Sequence, residues 1–314
     1  MENKALIENK SYMQKKSYKP NNFTFKDFKE TIVKYLFLMC ALLSILFIIL
    51  ISVFIFQGGF NVFRLVGIKD FIFNKSWAPM NTPASYGILP MIFGSIIITF
   101  LASIMAVPIA VFTSIYLAID CPKKLYRFLK PALNLMAGIP SIVYGFFALT
   151  VIVPMMRDMF GGNGMSILTA SILLLIMILP TIISISESAI RAVPKAYYQG
   201  GIALGANHER AVLKIVLPAA KSGVFAGIIL GIGRAIGETM AVILVAGNQT
   251  RLTFNIFKGI RTMTTNIVLE MGYASGMHAE ALIATACVLF IFILIINISF
   301  FIVKKRSEYM WLLL

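Results

Sequence analysis

Arg234 and Glu238 stand four residues apart in the run Gly231–Asn248, GIGRAIGETMAVILVAGN, which is otherwise mostly apolar. A full charge at the centre of a membrane helix costs roughly 2.5–3.5 kcal/mol on insertion scales, so such residues seldom lie there without a partner or a task. A guanidinium offers planar, paired donors that match a tetrahedral oxyanion. A carboxylate beside it accepts O–H donors, which hydrogen phosphate carries and sulfate at neutral pH lacks, or it neutralises the cation between transport events. The competing expectation is an Arg–Glu pair that locks two helices and touches no substrate. Thr239 and Asn248 are weaker polar candidates on the same stretch.

Read as one helix, the stretch puts Arg234 and Glu238 on one face, a turn apart. Counted from Ser222, Arg234 is about 12 residues in, or roughly 18 Å at 1.5 Å per residue, slightly past the middle of a ~30 Å hydrocarbon layer. Gly227, Gly231 and Gly233 lie below the charges. They form a small-residue face on which a neighbouring helix packs closely or slides.

Composition supplies the membrane that this reading needs. The 314 residues are 59% hydrophobic and 13% charged, with a mean hydropathy of +0.87, far more apolar than a soluble domain. Six apolar runs are expected to cross the membrane, at about 35–56, 88–119, 131–156, 165–185, 222–245 and 281–303. The fold class is therefore an all-α polytopic membrane protein. Twenty of the 28 Lys and Arg residues fall on segments read as internal and seven on segments read as external, with Arg234 inside a span. The positive-inside rule then puts both termini in the cytoplasm.

Along the chain, residues 1–33 read as a cytoplasmic tail with a short amphipathic piece at Phe23–Phe28. The first helix spans 34–57 and is expected to stop at Gly58-Gly59. An outer loop covers 58–87, with Trp77 suited to the headgroup level. A core follows over 88–303, and residues 304–314 form a second cytoplasmic tail beginning Lys304-Lys305-Arg306. Pro108 is expected to kink the second span, with Ser103 and Thr113 re-satisfying backbone groups nearby. Within the external segment 248–278, Thr264–Tyr273 reads as a short helix. The third span is interrupted at Gly138-Ile139-Pro140-Ser141, the one break that the sequence signals. It is either a packing kink or a pathway hinge with Ser141 on the route.

Several chemistries are excluded. The net charge of +15 sits beside the spans and needs no nucleic acid to explain it. Cys40, Cys121 and Cys287 are scattered, and His208 and His278 are the two histidines, so neither a disulfide framework nor a multi-histidine metal site is expected. There is no G-x4-G-K-[ST], H-E-x-x-H or G-x-S-x-G. No catalytic residue and no cofactor are assigned. The rival from another class is an ion-coupled secondary transporter in which Glu238 relays protons, which would carry broken helices at matching places in two halves.

The inner loop, 186–221, carries the most specific motif. Gly205 is followed after nine residues by Ile215-Val216-Leu217-Pro218. Gly205 suits a tight turn between two short helices, and Pro218 is expected to separate the loop from the fifth span. The pattern G-x9-I-x-L-P resembles the cytoplasmic EAA loop of ABC-importer permeases, E-A-A-x3-G-x9-I-x-L-P. Gln199-Gly200-Gly201 occupy the EAA positions, so the glutamate and both alanines are replaced, which puts a salt-bridge role for the first position in doubt. The resemblance implies that the loop docks on a dimeric ATP-binding subunit and turns its closure into helix movement.

The runs Leu135–Phe147 (LMAGIPSIVYGFF), Leu179–Glu187 (LPTIISISE) and Gly233–Val242 (GRAIGETMAV), with Trp77-x-Pro79 and Tyr86-Gly87-x-x-Pro90, look like the phosphate ABC-importer permease subunits of the PstC type. That resemblance implies the six-helix type I (MetI-like) permease architecture in a bacterial cell membrane. It also implies one half of a phosphate pathway, with Arg234, Glu238, Thr239, Ser141 and Asn248 along it. The implied partners are a second permease subunit of the PstA type, the ATP-binding subunit, an external phosphate-binding protein and surrounding lipid. Within the same class, a permease for sulfate or molybdate is the alternative.

Overall fold

The computed structural model describes the backbone of residues 25–312 and the side chains of residues 29–302. Most of the N-terminal tail, including the start of the piece expected at Phe23–Phe28, and the side chains of Lys304, Lys305 and Arg306 lie outside the described residues. By its contacts the chain divides into Met1–Phe54 and Ile55–Leu314. Six helical stretches among the described residues are long and apolar enough to cross a membrane: Lys29–Leu65, Leu89–Asp120, Ser141–Phe160, Ile167–Arg191, His208–Gly237 and Met277–Ile302. A helix pairs most backbone groups within its own segment, which hydrocarbon demands.

The first helix, α1, covers Phe25–Leu65 and does not stop at Gly58-Gly59. A Cβ on Gly58 would stand 2.9 Å from the Ile283 side chain, and one on Gly59 would stand 2.8 Å from Ala284 Cα. The glycine pair is a close-packing site, and the helix ends instead just before Gly67, whose φ of 85° lies in the left-handed region. The segment 58–87, expected as an outer loop, folds after α1 as a short helix, α2 (Ile68–Phe73), and a hairpin pairing β1 (Trp77–Ala78) with β2 (Ser85–Tyr86). Phe71, Trp77, Ile88 and Met91 pack with Leu282 and Ala284 in a core of their own.

Helix α3 (Leu89–Ile115) runs unbroken through Pro108 and ends in a π-helical turn, Tyr116–Asp120. Thr113 donates to the Ile109 carbonyl, while the buried Ser103 hydroxyl has no partner among the described residues. Helix α4 (Lys123–Gly138) contains Pro131, which was expected to open the third span. With Lys123, Lys124, Arg127 and Lys130 on an otherwise apolar helix, α4 is amphipathic rather than spanning. The crossing begins after the break, with α5 (Ser141–Phe147), a π-helical turn (Ala148–Ile152) and α6 (Val153–Phe160).

Helix α7 (Ile167–Arg191) starts at Ser166, whose hydroxyl accepts the Thr169 N–H. It is the centre of the core: Leu173, Leu174, Met177, Ile178 and Ile182 are fully buried, and α7 packs along both α3 and α10. The inner loop is helical, as its composition predicts, with α8 (Lys195–Ala203) after Pro194 and α9 (His208–Ala211) capped by Asn207. Pro218 does not separate the loop from the next span. A π-helical turn (Val212–Val216) leads directly into α10 (Leu217–Gly237), so Pro218 lies inside one continuous helical run from His208 to Gly237, just after the π-helical turn.

The fifth span is not one helix to residue 245. Glu238 is extended (φ −69°, ψ 130°), and a new helix, α11, covers Met240–Val245. The described residues therefore hold two broken helices where the sequence signals one. The segment 248–278 holds α12 (Met263–Met271) where a short helix is expected, and α13 (Met277–Leu312) is the last described helix.

Candidate functional site

Glycines set the position of Arg234. A Cβ on Gly231 would come within 2.5 Å of Ile182 Cγ1, and one on Gly227 within 3.2 Å of the Ile182 carbonyl oxygen. Only bare backbone lets α10 lie this close to α7. Gly233 meets nothing within 4 Å and takes no part in that face. Three residues beyond Gly231, the half-buried Arg234 donates from Nη1 to Thr181 Oγ1 of α7 at 3.3 Å. The Tyr144 phenol on α5 lies within its electrostatic reach. No carboxylate among the described residues forms an ion pair with Arg234.

The helical-face argument for Arg234 and Glu238 fails at the break. Glu238 has left the helix, and its carboxylate turns forward to accept the Ala241 N–H of α11 at 3.1 Å. Its carbonyl accepts the Thr264 hydroxyl of α12 at 3.1 Å, and its N–H reaches back to the Ala235 carbonyl at 3.3 Å. Thr239 donates to the Gly237 carbonyl at 3.2 Å. An Arg–Glu lock is thus not formed. One carboxylate oxygen of Glu238 caps a helix and the other has no partner among the described residues.

The first break has the same local geometry. Ile139 is extended (φ −67°, ψ 130°), and its N–H bonds back to the Met136 carbonyl at 3.3 Å, matching Glu238 and Ala235. Tyr144 spans this break by donating to Met136 O at 2.8 Å. The helices that follow the two breaks pack on each other, for a Cβ on Gly145 would stand 2.8 Å from Ala241 Cα. Ser141 is half-buried at the first break and makes no hydrogen bond to the Arg234 group. Asn248 lies at the far end of α11, with φ 50°. There its side chain donates to the Ile243 carbonyl at 2.6 Å and its own carbonyl accepts Arg261 Nε. Asn248 shapes the loop after α11 and is apart from Arg234 in contact terms.

The inner loop assembles as a second unit. Gly201 is buried because a Cβ there would stand 2.4 Å from Ile215 Cδ1, so two motif positions ten or more residues apart are in direct contact. Gly205 makes the turn with φ 86°. Gln199 and Gly200 are exposed, as are Tyr197, Ile202 and Leu204, the last at 91%. Leu217 and Pro218 are half-buried where the loop enters α10. His208 ties the loop to the end of α3, bonding Asp120 Oδ1 at 2.9 Å and the Tyr198 hydroxyl at 2.8 Å.

Two buried carboxylates escaped the sequence reading. At the end of α7, Glu187 accepts Tyr126 Oη (2.9 Å), Lys130 Nζ (2.6 Å) and Arg191 Nε. In α12, Glu270 accepts Trp77 Nε1 (2.8 Å), His278 Nε2 (2.8 Å) and Arg261 Nη1. Burial acts to raise the Glu270 carboxyl, but the hydrogen bonds from Trp77, His278 and Arg261 outweigh it and hold the group below the usual glutamate value. Thr181, Thr264 and Tyr144 were missed as well. Each is an ordinary residue in sequence, and its position depends on a helix far away in the chain.

Residues 110–309 match the family model described as "Binding-protein-dependent transport system inner membrane component". The chain is 37% identical over 244 residues to the "Probable ABC transporter permease protein YqgH" of Bacillus subtilis, covering 77% of this chain and 79% of that one. It is 34% identical over 254 residues to the "Phosphate transport system permease protein PstC" of Pasteurella multocida, covering 74% and 78%. A chain of the inward-facing MetNI methionine ABC transporter superposes with a TM-score of 0.57 at 19% identity, covering 70% of this chain and 95% of that one. That last likeness speaks to the fold.

Proposed function

This chain belongs to the family of binding-protein-dependent transport system inner membrane components, and on that footing we propose that it is the permease subunit of an ATP-driven phosphate importer, with Arg234 binding the anion in its half of the pathway. It is a multi-pass protein of the bacterial inner membrane and not an enzyme, since ATP hydrolysis in this class belongs to a separate subunit. The observation that carries the reading is Arg234 itself. It is a guanidinium within a spanning helix, bonded to a neutral hydroxyl and joined to no carboxylate. Such a cation gains most from an anion. Relatives named as phosphate transport permeases support phosphate over sulfate or molybdate.

Glu238 supplies an acceptor for the O–H of hydrogen phosphate through the oxygen that does not cap α11. Ser141 and Thr239 line the two breaks, and Asn248 bounds the outer end of the route. Membership of the family implies a second permease subunit, an ATP-binding subunit and a substrate-binding protein. We assign the second permease to the PstA type and place both termini inside. The exposed Tyr197, Ile202 and Leu204 around Gln199-Gly200 are then the surface that meets the ATP-binding subunit. Paired helix breaks also suit an ion-coupled carrier, and it is the family rather than the breaks that decides between the two.

The test is Arg234→Ala and Arg234→Lys in the assembled transporter, reading labelled phosphate uptake. Both are expected to assemble with their partners and to lose most transport, Lys less completely. Uptake by both at the parental rate removes Arg234 from the pathway.

A further inference from the structure

Thr181 is the residue of this site whose chemistry is left unused. Arg234 Nη1 donates to Thr181 Oγ1, which occupies a lone pair on the oxygen and leaves the hydroxyl hydrogen uncommitted. Several hydroxyls in the spans spend that hydrogen on the carbonyl one turn back, as Thr113 does on Ile109, Ser171 on Ile167 and Thr285 on Ala281, while Ser103 and Ser186 leave theirs unused and have no charged neighbour bonded to them among the described residues. Thr181 makes no such bond, and no carbonyl or carboxylate among the described residues receives its O–H. A half-buried donor in an apolar span is unfavourable when unused, and a hydroxyl that accepts from a guanidinium is a stronger donor than a free one.

The geometry points to Thr181 as a further substrate-contacting residue. Its oxygen holds the Arg234 guanidinium against α7, and its O–H is the second donor to the anion that Arg234 binds. This rests on the reading of Arg234 as the anion ligand. Donors from Arg234 and Thr181, with one free acceptor oxygen on Glu238, correspond to the mixed acceptor and donor character of hydrogen phosphate. Without the hydroxyl, the guanidinium loses the one hydrogen-bond partner it has among the described residues, and the anion loses a donor.

The experiment compares Thr181→Val, isosteric without the hydroxyl, with Thr181→Ser, which restores it. Each is made in the complete transporter in proteoliposomes with its binding protein and ATP-binding subunit. Phosphate uptake and ATP hydrolysis are read together, and each variant is also combined with Arg234→Lys. The expected result is that T181V assembles and hydrolyses ATP, with maximal uptake lowered roughly tenfold, the scale of one hydrogen bond to a charged group. T181S stays within about twofold of the parent by the same measure, and T181V adds little further loss in the Arg234→Lys background. Where T181V fails to assemble, Thr181→Cys, of similar volume with a weak donor, takes its place. Parental uptake by the hydroxyl-free variant while Arg234→Ala is inactive overturns the assignment of Thr181 and leaves Arg234 standing. Parental uptake by Arg234→Ala removes both.

Discussion

The Glu238 carboxylate accepts the N–H of Ala241 at 3.1 Å and so begins a new helix directly after the spanning stretch that ends at Gly237. This gives the residue two separable properties, an acceptor oxygen and a charge. Glu238→Gln keeps the first and loses the second, so it is expected to assemble normally and to lower phosphate uptake roughly tenfold. Glu238→Ala loses the cap as well and should reduce stability by about 0.5–2 kcal/mol. Uptake in proteoliposomes and thermal unfolding of the purified complex separate the two effects. Parental uptake by the Gln variant would leave the carboxylate a cap and nothing more.

Glu187 joins α4 to α7 through Lys130, Tyr126 and Arg191, and Arg191 also stacks 4.3 Å from the centre of the Tyr126 ring. Removing one member of a buried pair costs about 3–5 kcal/mol. The partners here are 23% and 42% exposed, so Glu187→Ala belongs at or below the lower end of that range. A fall in the melting temperature of the complex, largely restored by the double variant Glu187→Gln with Lys130→Met, is the expected outcome. An unchanged melting temperature would show that water replaces the carboxylate without cost.

The Glu270 carboxyl lies below its ordinary value of 4.5. A depressed carboxyl contributes stability that is complete above the unfolded value and is lost as pH falls through the folded one. The contacts of Trp77, Arg261 and His278 should therefore hold through mild acidity and open only below the usual glutamate range. In a Trp311→Phe background the emission of Trp77 reports this directly, because the chain has two tryptophans. Glu270→Gln should abolish the acid transition, and a transition that persists in that variant would assign it to another group.

Gly201 faces the tip of the Ile215 side chain, a flexible end that can turn away. Gly201→Ala is thus expected to be nearly neutral, while Gly201→Leu must displace the loop and costs about 1–3 kcal/mol. Retention of the ATP-binding subunit on purification should follow the same order. Gly201→Leu combined with Ile215→Ala should recover part of the loss, and no recovery would mean that the two residues do not share a space.

Six spans were legible because hydropathy over some twenty residues reports burial in lipid whatever the tertiary detail. The break at Gly138–Ser141 was legible because Pro140 interrupts the ladder by itself. The break at Glu238 was not, since no residue in Gly237-Glu238-Thr239 forbids a helix. It is held by Thr264, 26 residues away, together with the Glu238 cap. Proline misled in the other direction: Pro131 and Pro218 both lie within helical runs, where tolerance depends on surroundings that a sequence does not display. Gly58-Gly59 resembles a helix stop in composition and serves as a packing site, and Ile283 and Ala284 decide which. At the candidate site, charges and motif glycines could be read directly, whereas Thr181 became visible only when α7 lay beside α10.

Helix α12 holds Glu270, which receives the Trp77 indole, and Thr264, which bonds the Glu238 carbonyl. The hairpin and the turn after the fifth spanning helix are therefore fastened to opposite ends of one nine-residue strut. A displacement of the hairpin must either tear the indole from its carboxylate or travel along that strut to the peptide between Glu238 and Thr239. The hairpin and the turn that follows the fifth spanning helix are thus joined through one short helix.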